Sequence, residues 1–578
     1  MKDSLLIKNG YVIDPNNGID GEKKDIAIKD GKVVAVDEVS ESDAKVINAG
    51  GMIVMPGGVD IHSHIAGAKV NSGRSLRPED KHPESNEPKT KIRRSGTGFS
   101  VPSTWATGYR YATMGFTTVF EPAMPLLEAR HTHEEFLETP IIDKAAMPIF
   151  GNNWFVLKYI KEGNMDKLAA YVAWILKATK GYAIKIVNPG GVENWAWGKN
   201  CDSLDSPVFH WDVTPRQIVE GLAKANEILQ LPHSIHVHCN NLGHPGNYTH
   251  TKDTFDITKA MEPKSSVGRE RTFHCTHVQF NAYGGSNWGN FESAAADIAE
   301  YVNTNKHVSI DAGQVVFTKH ATTTMTGDGP WEFALHHLGG MSPWGAKPGT
   351  KWVNGQVEAE SGSGVVPYFF SPQVGVNAVQ WAIGLELMLL VKDPYQIAMT
   401  TDHPNGAPFT TYPQVYKWLM DKKARDEMLK SVNQKASTAT TLGDIDRELS
   451  LKELCILTRA GTSKLLGLQD RGHLGKGAIG DVAIYQLDPN SYDGHAVEKA
   501  FSQAAYTIKD GQIVVKDGEI MASTMGSLLQ AKGKIKQNVY DTVLEEIQHV
   551  WKDHYSINFN NYAVQDAYAK KVKIINGV

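Results

Sequence analysis

The chain has 578 residues, 59 basic against 64 acidic side chains, and a formal net charge of -5. That length favours more than one domain, and a composition 41% hydrophobic and 21% charged is ordinary for a globular protein with a large core. The near balance of charge leaves no basic footprint for nucleic acid, and four dispersed cysteines (Cys201, Cys239, Cys275, Cys455) with no CxxC exclude a disulfide framework or an iron-sulfur site.

The N-terminus, MKDSLLIKNGYVIDP, reaches charge and turn residues too soon for a signal peptide. No apolar run approaches the roughly 18 residues of a membrane span, so a cytoplasmic enzyme is expected. Residues 4–55 read as short strands punctuated by Asn9-Gly10 and Asp30-Gly31, the dipeptides that favour tight hairpins. A similar texture returns at Asp481–Tyr485, Tyr506–Ile508, Asp510-Gly511, Gln512–Val515 and Asp517-Gly518. Two β-rich pieces bracketing a long middle predict one small β-sandwich domain built from residues 1–55 and 468–525.

Between them, strand-like runs alternate with helical stretches, the pattern of a parallel α/β fold. The runs are Ile53–Ile61, Phe116–Phe120, Pro148–Gly151, Tyr182–Val187, Ile235–Cys239, Thr272–Val278, His307–Asp311 and Ile397–Asp402. Eight is the count of a TIM barrel, so residues 56–467 are expected to form a (β/α)8 barrel. Two long connections, 68–103 and 315–372, leave strand ends on the side where such barrels bind substrate and are expected to cover the mouth. Residues 526–578 read as a helical extension, with Val543, Leu544, Ile547, Val550 and Trp551 at helical spacing for packing on a neighbour or a partner.

The chemistry gathers at the strand ends. His62 and His64 occupy alternate positions and so point the same way. Two surface histidines beside a glycine turn would give the same spacing, so the pair matters only with its companions. These are Lys185 on the fourth run, His238 on the fifth, His277 on the sixth and Asp402 after the eighth. Imidazole and carboxylate suit zinc, and a lysine carboxylated by carbon dioxide supplies two oxygens able to bridge two ions. Such a reaction needs free amine, which burial and nearby cations favour. His236 and His274 compete with His238 and His277; the later member of each pair, nearer the C-terminal edge, is preferred. Asp402 is expected as general base towards a water that two zinc ions make acidic, with His244, Asn240 or Asn241 as candidate donors to the oxyanion.

Together these residues resemble the amidohydrolase superfamily, with its dinuclear zinc site and N6-carboxylysine. PGGVDIHSH near the start, and Gly461–Gly467, Gly475-Lys476-Gly477 and Gly480–Ala483 near the end, look like its bookends. Within it, DIHSHIAGAKVNSGRSLRPED, IHVHCNNLGHPGN, HCTHVQFNAYGG, SIDAGQVVF and TTDHPNG are most similar to the family of formylmethanofuran dehydrogenase A subunits. The resemblance implies a subunit that condenses formate with methanofuran to N-formylmethanofuran in the carbon-dioxide-fixing step of methanogenesis. It also implies partner subunits carrying a molybdenum or tungsten centre and iron-sulfur polyferredoxins. Methanofuran carries a glutamyl tail, so Lys69, Arg74 and Arg77 are expected to grip its carboxylates. The alternatives are the hydrolytic subunit of a methylotroph formyltransferase/hydrolase complex, a cyclic-amide hydrolase of the dihydropyrimidinase type, and a metal-free scaffold.

Overall fold

The structure is a computed structural model that describes residues 4–341, 353–357 and 360–576. The middle of the second long connection, 342–352 and 358–359, thus lies outside the described residues. Eight short strands form the centre: Gly58–Asp60, Phe116–Met124, Asp143–Pro148, Lys185–Val187, Ile235–His238, Phe273–Cys275, Val308–Asp311 and Ile397–Ala398. The first three pair in parallel in chain order, and so do the last five. Parallel bridges from Ile149 to Lys185 and from Ser63 to His403 join the two arcs into a ring. Helices connect the strands and bury their apolar faces on it. Pro215–Leu229 shows the local logic: Thr214 caps it reciprocally with Gln217, proline opens it, Gln230 ends it in the left-handed region, and Ile218, Val219, Leu222 and Leu229 are buried.

The third strand begins earlier than the apolar run Pro148–Gly151 suggests, because it starts on two charges. Asp143 and Lys144 are buried, and such residues break the hydrophobic signal that marks a strand. Asp143 accepts from Arg471 at 2.6 Å and from Lys509 at 3.3 Å, and Lys509 also reaches Asp481 at 3.1 Å. This buried ion network ties the barrel to the strands near the C-terminus.

Strands from both chain ends share one nine-stranded sheet. Its splice is Ile53–Pro56, antiparallel to Val482–Tyr485 and parallel to Ser4–Asp14. The sheet folds over a core of its own that includes Leu5, Ile7, Val12, Ile28, Val54, Ile484 and Ile508. Asp30-Gly31 and Asp517-Gly518 turn two-residue hairpins at positive φ. Asn9-Gly10 does not turn: the strand runs on through a bulge, and Gly10 is required because a Cβ there would lie 2.4 Å from the Val54 side chain.

Residues 526–578 are not helical alone. Leu528–Lys532 and Val572–Asn576 are parallel strands that extend the sheet at the third barrel strand. The helix Gln537–His554 buries Val543, Ile547 and Trp551. Its apolar stripe is covered by this chain itself: Trp551 meets Trp174 of the barrel helix Met165–Ala178 edge to face at 6.0 Å. Among the described residues no helix is long and apolar enough to cross a membrane.

Candidate metal centre

His62, His64, Lys185, His238, His277 and Asp402 all line one cavity of the barrel. Barrel geometry explains the convergence, since strand ends at one rim of a barrel aim their side chains at the axis. The backbone is forced where two of them sit: His277 has φ 37° and Asp402 φ 50°, left-handed conformations that cost about 1–3 kcal/mol each in a residue with a side chain. Gly313 accommodates the first, because a Cβ there would lie 2.4 Å from His277 Cβ. His277 N–H donates to Asp311 Oδ1 at 2.8 Å.

His62, His64 and Asp402 present three ligand atoms within 4.8 Å of one another. His64 Nδ1 lies 2.9 Å from Glu121 Oε1, whose other oxygen accepts the N–H groups of Ile65 and Ala66. With Nδ1–H donated to the carboxylate, the lone pair of His64 is on Nε2, 3.3 Å from Asp402 Oδ1. His238 is held from the other side, its Nε2 3.0 Å from Asp328 Oδ2, which leaves Nδ1 as its lone pair.

A divalent cation fits this donor set. His62 Nε2, Asp402 Oδ1 and His277 Nδ1 are buried with no hydrogen-bond partner among the described residues. An unsatisfied buried polar atom costs about 1–3 kcal/mol, and a cation held by His62, His64 and Asp402 would remove that cost at His62 Nε2 and Asp402 Oδ1. Burial pushes the Asp402 carboxyl up, although His64 opposes it, and holds His62 and His277 well below the usual imidazole range, so the imidazoles are neutral donors. Burial also pushes the Lys185 amine down to about 8, against the pull of Asp402 and Asp311.

Of the competing histidines, neither His236 nor His274 lines the cavity. His274 bonds Ser309 and Asp311, and His236 bonds His62 and His233. Asn240 is buried but its amide donates to Asn188 Oδ1 and Pro189 O, while His244 is exposed; neither lines the cavity, and nor does Asn241. The structure therefore does not bring the expected oxyanion donors to the site.

Lys69, Arg74 and Arg77 do not lie on a solvated loop, although Lys81, Lys89, Lys91 and Arg94 are exposed. Ala68–Leu76 is a helix, and Lys69 and Arg77 are buried. Arg74 donates to Glu135 and Pro102 O; Arg77 donates to Thr322 O at 2.9 Å and Thr323 Oγ1 at 2.8 Å, stapling the two long connections together. Lys69 Nζ has no hydrogen-bond partner among the described residues, and Asp402 and Glu332 act on it electrostatically.

The second connection supplies what sequence reading missed. Thr322–Thr326 pairs with Glu360–Tyr368 across the mouth, and Thr324, Trp331, Glu332, Leu335 and Phe370 line the cavity. Glu332 is buried, its Oε2 2.9 Å from Thr324 Oγ1 and its Oε1 without a partner among the described residues. Burial pushes its carboxyl well above the usual range. Nothing in the local pattern of 327–335 marks it, and Glu121 and Asp311 were likewise not singled out in the sequence.

A family model described as Amidohydrolase family matches residues 45–515. Protein FwdA of Methanocaldococcus jannaschii is 54% identical over 573 residues, covering 99% of this chain and 98% of that one. The Fhc A-subunit of the formyltransferase/hydrolase complex of Methylorubrum extorquens is 36% identical, over 97% of this chain and 96% of that one. A chain in the crystal structure of the Methylorubrum extorquens complex FhcABCD with methylofuran matches at a TM-score of 0.89 and 34% identity, covering 100% of both chains.

Proposed function

The chain belongs to the amidohydrolase family, and from that premise we propose that it is the A-type member of a formylmethanofuran dehydrogenase. In this reading it joins formate to the primary amine of methanofuran, releasing water, and hydrolyses N-formylmethanofuran in reverse. The observation that carries the proposal is the single cavity lined by six ligand-capable side chains, three of which, His62, His64 and Asp402, present ligand atoms within 4.8 Å of one another. The near full-length likeness to one chain of a complex solved with methylofuran supports the substrate class.

His62, His64 and Asp402 would hold one zinc ion, and His238 and His277 the other. Lys185 would bridge them as a carbamate, formed when its free amine adds to carbon dioxide with loss of a proton. When bound, such ions supply Lewis acidity and lower the pKa of a held water. Asp402 takes the proton from the attacking water during hydrolysis and returns it to the departing amine nitrogen; in synthesis the same carboxylate runs backwards. Glu332 Oε1, free inside the cavity, is placed to bond the substrate amine. Trp331, Leu335 and Phe370 give the cavity an apolar side that limits its contact with bulk water. Lys69, with its unpartnered amine, is the basic residue best placed for a substrate carboxylate. Arg74 and Arg77 act through the loop they hold.

Formate would come from a molybdenum or tungsten subunit fed by iron-sulfur polyferredoxin subunits in the cytoplasm. The four buried, free cysteines of this chain fit a division of labour that leaves redox chemistry to others. The hydrolytic role of the methylotroph type uses the same site, so direction is set by partners. The test is the purified chain loaded with zinc, assayed on N-formylmethanofuran and on dihydrouracil with metal analysis. Release of formate from the first alone, at two zinc ions per chain, is expected. Activity on dihydrouracil alone would replace the proposal with the cyclic-amide reading. Copurifying molybdenum or tungsten subunits decide direction.

A further inference from the structure

Three buried imidazoles stand in file from the barrel wall to the site. His233 Nδ1 lies 2.7 Å from the carbonyl oxygen of Leu465, His233 Nε2 lies 3.0 Å from His236 Nδ1, and His236 Nε2 lies 2.9 Å from His62 Nδ1. The direction of these bonds follows from the end of the file. A carbonyl oxygen accepts and has no proton to give, so His233 donates from Nδ1 and keeps its lone pair on Nε2. His236 must then donate from Nδ1 to that lone pair and accept at Nε2. His62 must donate from Nδ1, which leaves its Nε2 bare. That nitrogen has no hydrogen-bond partner among the described residues, and it faces Asp402 Oδ1 at 2.9 Å.

We propose that His233 and His236 are positioning residues that lock His62 in the Nδ1–H tautomer, so that its Nε2 is presented to a cation. The inference rests on the metal centre proposed above and adds two residues that touch neither cavity nor substrate. Burial, reinforced for His236 by Lys185 and for His233 by His274, holds both far below the usual imidazole range, in keeping with a neutral file. His62, His236 and Asp311 also present ligand atoms within 4.8 Å of one another, but in this file His236 Nε2 and His62 Nδ1 are engaged with each other rather than offered to a cation. Nor does the file carry protons outward, because it ends on a backbone carbonyl. Asp311 is a lesser partner of His62: its Oδ2 is 3.5 Å from His62 Nδ1 and 3.2 Å from His274 Nε2. The two histidines of the HxH pair are therefore oriented by different chemistry, His64 by the Glu121 carboxylate and His62 by a neutral ring.

The test uses the full chain, stripped of metal and titrated with zinc against a chromophoric chelator. His236→Phe keeps a ring stacked between His62 and His274 but removes the acceptor. His236→Gln offers an amide oxygen near the place of Nε2. Outer-shell partners of this kind are worth about 10–100-fold in metal affinity. The expected results are a loss of that order in His236→Phe and in His233→Phe, recovery in His236→Gln, and apo-state thermal melting that does not follow the affinity. Selective nitrogen-15 labelling of the metal-free wild type should show His62 protonated at Nδ1 and bare at Nε2. Equal zinc affinity in wild type and His236→Phe, or a His62 protonated at Nε2, overturns the inference; should both phenylalanine variants fail to fold, the wild-type tautomer alone decides. A wild type that binds no zinc sinks the proposed function with it, whereas a wild type that binds zinc and variants that bind it equally sink only the file.

Discussion

His62 Nε2 and Asp402 Oδ1 face each other at 2.9 Å with no hydrogen bond between them, and neither has another hydrogen-bond partner among the described residues. Two lone pairs held together in a buried site, without a proton to share, are what two ligands of one cation look like. Asp402→Asn keeps the shape, removes the charge and removes the base. It should lower turnover on N-formylmethanofuran by about 10²–10⁴-fold and weaken zinc binding. Steady-state kinetics with metal analysis checks both, and unchanged turnover would remove Asp402 from the mechanism.

Lys185 is buried with its amine pushed down to about 8. More of the amine is unprotonated above that pH than below it, and only the unprotonated amine adds carbon dioxide. Reconstitution of metal-free protein with zinc should therefore be faster with added bicarbonate, and faster at pH 8.5 than at pH 6.5. Carbon-13 bicarbonate should leave a carbamate signal that Lys185→Met abolishes, together with at least one of the two ions. Two ions retained in Lys185→Met would show that nothing from this lysine bridges them.

Glu332 lines the cavity and Lys69 is buried in the first connection, each with an atom that has no hydrogen-bond partner among the described residues. Glu332→Gln should raise the KM for the amine in the synthetic direction. Lys69→Met should raise the KM for methanofuran while zinc content and melting temperature hold. Arg77→Met is expected to behave oppositely, because its guanidinium joins 68–103 to 315–372. It should speed proteolysis within the second connection. If Lys69→Met binds methanofuran as the wild type does, the carboxylates are gripped elsewhere.

Lys509 sits between Asp143 and Asp481, all three buried. Burial alone would push Asp143 up, yet Lys509 and Arg471 outweigh it and hold the carboxyl below its usual range. Lys509→Met leaves that pair of carboxylates one cation short, and breaking a buried ion pair costs about 3–5 kcal/mol. A clear fall in melting temperature at pH 7 is expected. The sign with pH follows from the depressed Asp143: its contribution is full above the unfolded carboxyl pKa near 4 and is lost as pH falls through the folded value. Wild type and variant should therefore converge in stability on acidification. A constant gap down to pH 3 would show that the network does not act through Asp143.

The barrel was legible because eight apolar runs keep strand length and spacing, and it was misplaced where charge interrupts the run, as at Asp143-Lys144. That His62, His64, Lys185, His238, His277 and Asp402 share one cavity was foreshadowed by their places in or just after such runs. Glu332 was hidden, since an acid on an insertion helix carries no periodic mark of which way it faces. The helix Gln537–His554 showed its stripe plainly but not its destination, which is Trp174 of the same chain.

Residue order by itself determined the parallel α/β architecture and the HxH pair, because these are properties of local spacing, and left His236 open against His238 and His274 against His277. Only the tertiary structure decided what each donor is for. Whether a histidine binds a cation or orients another histidine depends on which of its nitrogens meets a proton. At His62 that is settled by His236, 174 residues away along the chain and 2.9 Å away in space.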